Sequence, residues 1–236
     1  MADDRSKSLR TGGHAAVDAF LREVRAKPAV RTADPRGRLL FAMDATASRE
    51  PTWDRAVGLQ AEMFEAAASL GGIEVQLCYY RGHGEFHTGV WERRADSIIA
   101  GMTHVRCAAG LTQIARVLNH AIDEHKRRPL QALVFVGDVV EESPDALTRL
   151  AGQLGVRGLP AFVFQDGHEP GSAHTLRQIA HLSGGAYCPF DHASAAQLKA
   201  LLQAVAVYCA GGRLALKQFS ESASADVRRL TQQLDR

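Results

Sequence analysis

A doubly wound α/β domain, with a mainly parallel sheet covered by helices on both faces, is the fold class this sequence predicts. Two observations carry that reading. Short continuous apolar runs, such as Leu39-Leu40-Phe41-Ala42-Met43 and Ala132-Leu133-Val134-Phe135-Val136, mark strands buried on both faces. Segments with apolar residues at helical spacing lie between those runs. Strands that alternate with helices imply parallel pairing, because each crossover helix returns the chain to the same end of the sheet.

Composition agrees with a globular chain. Of 236 residues, 46% are hydrophobic and 23% charged, which is enough apolar material for a sizeable core and excludes general disorder. A net charge of +2 gives no reason to expect nucleic acid or an anionic membrane as a partner. No apolar run approaches the roughly 20 residues of a membrane span. The charged start Met-Ala-Asp-Asp-Arg-Ser-Lys does not look like a secretory signal, so a cytoplasmic protein is expected. Cys78, Cys107, Cys188 and Cys209 are far apart and form no CxxC pair; they are expected to be reduced, with Cys78 and Cys209 buried.

The elements follow in order. A polar tail leads to an amphipathic helix over about residues 14–26, with Val17, Phe20, Leu21 and Val24 on one face, and then to a Pro-containing linker. The first strand covers Leu39 to Met43. A helix spans Trp53 to Leu70, with Trp53 as its expected core anchor, and Gly71-Gly72 stops it. Ile73 to Tyr80 reads as a second strand, and Phe86 to Trp91 as a short antiparallel edge strand. Helices are expected at about 92–101 and 112–127, a strand at 132–136, a helix at 144–154, a strand at 161–164, and a helix at 172–182. A short strand at Ala186 to Pro189 precedes a long helix from 194 to about 210. Beyond Arg213, a strand at Leu214 to Phe219 and a polar helix ending in Gln232-Gln233-Leu234 are expected. The resulting division is 1–35 for tail, helix and linker, 36–212 for the α/β domain, and 213–236 for a C-terminal extension.

In open parallel sheets the binding site lies beyond the carboxyl ends of the strands. Asp44, Asp138 and Asp166 follow three of the expected strands. Asp44-Ala45-Thr46-Ala47-Ser48 places a carboxylate and two hydroxyls at alternate positions, which in extended backbone share a face. Such oxygens suit a hard cation such as magnesium. The plainer alternative is an Asx-turn or helix cap at Asp44, with loop hydroxyls beside it.

With this run the chain resembles the von Willebrand factor type A family over roughly residues 36–210. That family's metal-ion-dependent adhesion site opens with Asp-x-Ser-x-Ser after the first strand. It is completed by a threonine in a later loop and an aspartate after the fourth strand. Gly110-Leu111-Thr112 and Val136-Gly137-Asp138 match those segments, and Ser183-Gly184-Gly185-Ala186-Tyr187 is similar to the helix stop and strand start near the family's end. The resemblance therefore implies Asp44, Thr46, Ser48, Thr112 and Asp138 as ligands of Mg2+, or of Mn2+ or Ca2+. Thr46 replaces the commoner serine but keeps the hydroxyl. Leu111 and Val139 stand where glycines are usual, so the shape of those loops is expected to differ. The family implies a binding domain rather than an enzyme, with an open coordination position that accepts an Asp or Glu of a partner protein. Intracellular members that work beside AAA-type ATPases make such a system one candidate partner.

Other patterns have simpler explanations. His83, Glu85 and His87 alternate as zinc ligands would, but lie among glycines that suggest a solvated hairpin. Glu141 and Glu142 read as solvated charges at a helix N-terminus or, alternatively, as groups tuning a metal's field. Asp166-Gly167-His168 is first a turn signal that could line a partner surface. Lys126-Arg127-Arg128 complements a helix C-terminus. No GxGxxG or P-loop is present. The alternative functions are a Mg-dependent phosphohydrolase-like enzyme using Asp44, which lacks the second acid that class carries at the position of Thr46, and a scaffold of the same fold that no longer binds metal.

The apolar face of the N-terminal helix has to be buried somewhere, since an isolated helix of that length is marginal in water. Deleting residues 1–30 should lower the melting temperature or change the oligomeric state. An unchanged melt and an unchanged sedimentation profile would contradict docking of that helix.

Overall fold

The computed structural model describes residues 37–49, 73–167, 169–190 and 195–234. The expected N-terminal helix and the helix over Trp53 to Leu70 lie outside the described residues, as does His168.

Six strands form one sheet: β1 (Arg38–Asp44), β2 (Glu74–Arg81), β3 (Glu85–Glu92), β4 (Ala132–Gly137), β5 (Ala161–Asp166) and β6 (Ala186–Phe190), in the order β3-β2-β1-β4-β5-β6. All neighbours pair in parallel except β3, which runs antiparallel to β2 at one edge. The strand order changes direction at β1, which has β2 on one side and β4 on the other. Consecutive side chains of a strand point to opposite faces, so the apolar runs supply two cores at once.

On one face Leu39, Phe41, Met43, Val134, Val136, Phe162 and Phe164 pack against α1 (Ala95–Thr103), α5 (Ala195–Glu221) and α6 (Ala225–Gln233). On the other, Leu40, Ala42, Leu133, Phe135 and Val163 pack against α2 (Ile114–Arg127), α3 (Pro144–Val156) and α4 (Pro170–Ser183). The continuous rather than alternating hydrophobicity of β1, β4 and β5 is the signature of this double burial.

Two elements differ from the sequence expectation. The helix expected from residue 92 begins at Ala95, because Glu92 still pairs with Val75 in the β2–β3 ladder. Leu214 to Phe219 is not a strand. It belongs to the second of two helical segments within α5, which meet at Gly212 (φ 68°, ψ −164°). Ala215, Leu216 and Ser220 are buried there while Leu214 is 69% exposed, so the burial follows helical spacing. No edge is open for an added strand at β6, because α6 covers it. The Gln233 side chain accepts the Tyr187 N–H (2.8 Å) and donates to the Tyr187 carbonyl (2.9 Å). This satisfies the outward backbone groups of an edge strand that would otherwise invite pairing. Tyr187 thereby ties the expected C-terminal extension to the sheet.

Cys78, Cys188 and Cys209 are free thiols and buried. Burial raises the thiol pKa of Cys78 and Cys209 well above the ordinary value, and pushes Cys188 up to about 11, so none of the three is a ready nucleophile.

The amino end of β1 carries a buried charge cluster. The Arg38 guanidinium lies 3.7 Å from the Trp91 ring centroid and donates to the Arg128 carbonyl (2.7 Å) and to Glu124 (3.4 Å). Glu124 also accepts from the Trp91 indole (3.0 Å) and Arg127 (2.6 Å), while Glu74 accepts from Arg93 and Arg128 (both 2.8 Å). Burial alone would raise the pKa values of both glutamates. Hydrogen bonds and charge from the surrounding arginines, and from Trp91 and His120 at Glu124, outweigh it and hold both below the ordinary 4.5. The unfolded chain therefore takes up protons more readily than the native one. The stabilisation is fully present above about pH 4.5 and is lost as pH falls through the lower native values. Thermal melts should show stability declining below pH 4.5. Glu74→Gln should lose about 1–3 kcal/mol at pH 7, because it weakens the buried acceptor of Arg93 and Arg128 and one of the two acids beside buried Arg38. A variant as stable as wild type at pH 7 would contradict the assignment.

Candidate functional site

The strand-order reversal leaves a crevice beyond the carboxyl ends of β1 and β4, where Asp44 closes the first strand and Asp138 directly follows the second. Asp44 is fully buried. Its Oδ1 accepts the Thr46 N–H (2.7 Å), and its Oδ2 accepts the hydroxyl of Tyr80 (2.9 Å), its register partner on β2. The Asx-turn considered for Asp44 is thus present. The chain does not stay extended after it: Ala47–Arg49 forms a turn of 3-10 helix. This turn nevertheless brings the two hydroxyls together, with Thr46 Oγ1 and Ser48 Oγ 3.1 Å apart. Thr46 is buried and Ser48 exposed, so the pair runs from the crevice to the surface.

The Thr112 loop is tied to both flanks of the crevice. Ala108 donates to the Ala45 carbonyl (3.1 Å) and Gly82 donates to the Ala108 carbonyl (3.3 Å). Gly110 has to be glycine for this approach, since a Cβ there would lie 1.9 Å from the Gly82 carbonyl oxygen. On the other side, Thr112 and Glu141 bond reciprocally: the Thr112 N–H donates to Glu141 Oε2 (2.9 Å), and the Glu141 N–H donates to Thr112 Oγ1 (3.1 Å). Glu142 accepts the N–H groups of Ile114 (2.5 Å) and Ala115 (2.9 Å), the first turn of α2. The two glutamates do serve a helix N-terminus, but that of α2, which they reach across the crevice, and not that of the helix following them. Gly137, just before Asp138, allows β4 to end against β1: a Cβ on it would meet the Phe135 ring at 2.8 Å and Asp44 Cβ at 3.4 Å.

The resulting field is strongly negative. Burial raises the pKa of Asp44; hydrogen bonds from Thr46 and Tyr80 pull it down, and the Asp138 charge pushes it up. Burial likewise raises Glu142, with Asp44 adding to the effect and hydrogen bonds from the α2 N–H groups and Thr112 opposing it. The Tyr80 hydroxyl is driven well above its ordinary value by burial and by the same acids, so it remains a donor. No basic side chain ranks among the main influences on Asp44 or Glu142. The remaining lone pairs on the carboxylate and hydroxyl oxygens of these described residues are hard donors of the kind magnesium prefers. Oxygens of this chemistry are ones a divalent cation would take, although among the described residues no group of three or more His, Cys, Asp or Glu is placed to hold a metal ion.

Of the five residues expected at the site, Asp44, Thr46 and Ser48 are linked through direct or successive hydrogen bonds, Thr112 is locked to the loop following Asp138, and Asp138 acts on Asp44 through its charge. Tyr80 was missed, since it reaches Asp44 only through the β1–β2 register. So was Arg49, which forms a buried ion pair with Asp166. The turn expected at Asp166-Gly167 is present, with Gly167 at φ 78°, but the alternative of a partner-facing Asp166 is not: its carboxylate is buried and pins the Asp44–Arg49 segment to β5. Of the residues weighed as zinc ligands, Glu85 pairs with Arg81 (2.8 Å) and lies 3.4 Å from His87, which stacks on Tyr79 (4.8 Å between centroids).

No family model and no curated protein matches the sequence. Solved structures match in fold. A von Willebrand factor type A protein from Catenulispora acidiphila aligns with a TM-score of 0.61 at 17% identity, over 75% of this chain and 43% of its own. The chain thus spans less than half the length of that protein. The SpRpn10 VWA domain aligns with a TM-score of 0.57 at 9% identity, over 69% of this chain and 95% of its own. An aerotolerance-related membrane protein from Bacteroides fragilis aligns at 0.52 with 12% identity, covering 81% of this chain and 98% of its own. The fold is therefore that of the von Willebrand factor type A domain. Among the described residues, no helix is long and apolar enough to cross a membrane.

A raised native pKa makes Asp44 a liability to the metal-free fold. Its stabilisation is complete below the unfolded value near 3.8 and is lost as pH rises through the native value. In EDTA, Asp44→Asn should melt no lower than wild type at pH 7, and its advantage should shrink toward pH 4. A variant that melts well below wild type at pH 7 would contradict a charge held at a cost.

Proposed function

We propose that this domain binds a partner protein through a divalent cation, Mg2+ first among Mn2+ and Ca2+, held by Asp44, Thr46, Ser48, Thr112 and Asp138. The observation that carries the reading is the buried Asp44 carboxylate facing the charge of Asp138, with hydroxyls beside it and no basic group among its main influences. A bound cation would supply a Lewis-acidic position for a carboxylate oxygen of the partner. The chain's own residues do the rest. Tyr80 and the Thr46 N–H orient Asp44, and Glu141 holds the Thr112 hydroxyl toward the loop that carries Asp138. Arg49 and Asp166 anchor the hydroxyl-bearing turn.

The rim fits a protein partner. Leu111 is 61% exposed directly beside Thr112, and Ala47, Ser48 and Glu141 are exposed around it. An exposed leucine next to a charged centre gives an incoming Asp or Glu an apolar contact for its neighbours. Leu111 stands where a glycine is usual in the family, so its side chain adds specificity that a smaller residue would not. A partner within an AAA-type ATPase system is one candidate.

Millimolar MgCl2 should raise the melting temperature of wild type, by an amount that grows with concentration as RT ln(1 + [L]/Kd), about 2.7 kcal/mol at a hundredfold excess over Kd. Thr112→Ala and Asp138→Ala should fold but lose that shift. Partner capture should fall by about 2–5 kcal/mol in wild type with EDTA and in either variant, without the effects adding. Equal capture by Thr112→Ala and by wild type in EDTA and in magnesium would overturn the metal bridge and leave a scaffold that has kept the motif. Turnover of a phosphate ester, lost in Asp44→Asn, would favour the phosphohydrolase reading instead.

A further inference from the structure

At the opposite pole of the sheet a second site is built from positive charge. Strand β6 is the outer edge of the sheet, with α4 on one face and α6 on the other, and at its amino end the two helices flank a cavity of about 480 Å³. Arg177 and His181, one helical turn apart on α4, line one wall. Arg229 and Gln232 of α6 line the other, and Tyr187 and Gln233 form the floor.

The floor is rigid. Gln233 is spent on the two backbone groups of Tyr187, and the Tyr187 hydroxyl donates to Gln165 Oε1 at 2.5 Å. The Arg177 guanidinium lies 4.9 Å from the Tyr187 ring centroid, a cation–π contact that places the head group, and it also interacts with the Tyr187 hydroxyl. Arg229 has Asp226 near it, but at 3.7 Å, beyond good hydrogen-bond reach. Among the described residues lining the cavity there is no acid. Two guanidinium groups, one resting on Tyr187 and the other loosely paired with Asp226, therefore line one space with an imidazole and the Gln232 amide. Guanidinium forks match the paired oxygens of phosphate and carboxylate groups. The volume falls within the roughly 300–1,000 Å³ typical of small-molecule sites.

We propose that this cavity binds a small organic anion, whose phosphate or carboxylate group is gripped between Arg177 and Arg229, with Gln232 and His181 as further donors. The site is separate from the candidate cation site: it lies at the amino end of a parallel strand, whereas Asp44 and Asp138 lie beyond the carboxyl ends.

Calorimetric titration of the full chain tests it, with pyrophosphate and citrate as separate probes, in EDTA so that the cation site is silent. Saturable binding is expected for at least one probe, and the tighter of the two identifies the source of the oxyanion. R177Q and R229Q should each weaken binding roughly tenfold, the loss of one charge-assisted contact. Both residues are exposed, so the variants should keep the wild-type circular dichroism and melt. The double variant R177K/R229K keeps the charge and loses the forks; it should also bind more weakly than wild type. Asp138→Ala should bind both probes as wild type does. Absence of saturable binding for both probes would overturn the proposal. So would undiminished binding by the R177Q/R229Q double variant, or by R177K/R229K, since either shows attraction without a built site.

Discussion

Everything in this molecule depends on burying strand β1 completely. Its seven residues, Arg38 to Asp44, have no exposed member, yet the strand begins and ends with a charge. An ionised group withdrawn from water has to be paired or hydrogen-bonded, or it shifts its protonation. The two ends solve this differently. At the amino end, Arg38 lies among Glu74, Glu124 and the Trp91 ring, and the cluster joins β1, β2, β3 and α2. At the carboxyl end, Asp44 accepts from the Thr46 N–H and the Tyr80 hydroxyl and faces another acid in Asp138. One pole is compensated and serves stability. The other, among the described residues, gathers acids and hydroxyls, as the proposed cation site would need.

The same asymmetry explains how the site is held in shape. Acidic groups that repel one another would open the crevice, but each is anchored from behind. Glu142 closes the first turn of α2, Glu141 and Thr112 lock together, and the Arg49–Asp166 pair fastens the turn after Asp44 to β5. Close backbone approaches at Gly110 and Gly137 leave little room for the loops to relax apart. The oxygens are therefore held in place by contacts of the surrounding scaffold.

The far edge of the sheet shows a related economy. Covering β6 with α6 removes an aggregation-prone edge, and the Gln233 amide does this by imitating a neighbouring strand. Doing so places Arg229 across from Arg177 without an intervening acid among the described residues, so the same edge also becomes a positively charged cavity.

Local sequence determined the strands and most helices. Double burial demands unbroken apolar runs, and these are visible in Leu39 to Met43 or Ala132 to Val136 without any partner being known. It also placed Asp44 at the end of a strand, and Thr46, Ser48, Thr112 and Asp138 on the segments after strands or before a helix, because turn chemistry and spacing are local. Leu214 to Phe219 was misread as a strand since a short apolar run has no period of its own; packing against the sheet chose the helix. Only the tertiary structure could bring Tyr80 onto Asp44, Glu142 onto α2, or Arg49 onto Asp166, contacts that span 36, 27 and 117 residues. Those pairings follow from strand register and strand order. Both are set by how the two hydrophobic faces are shared among all the helices, a property of the whole sheet that no single stretch of chain contains.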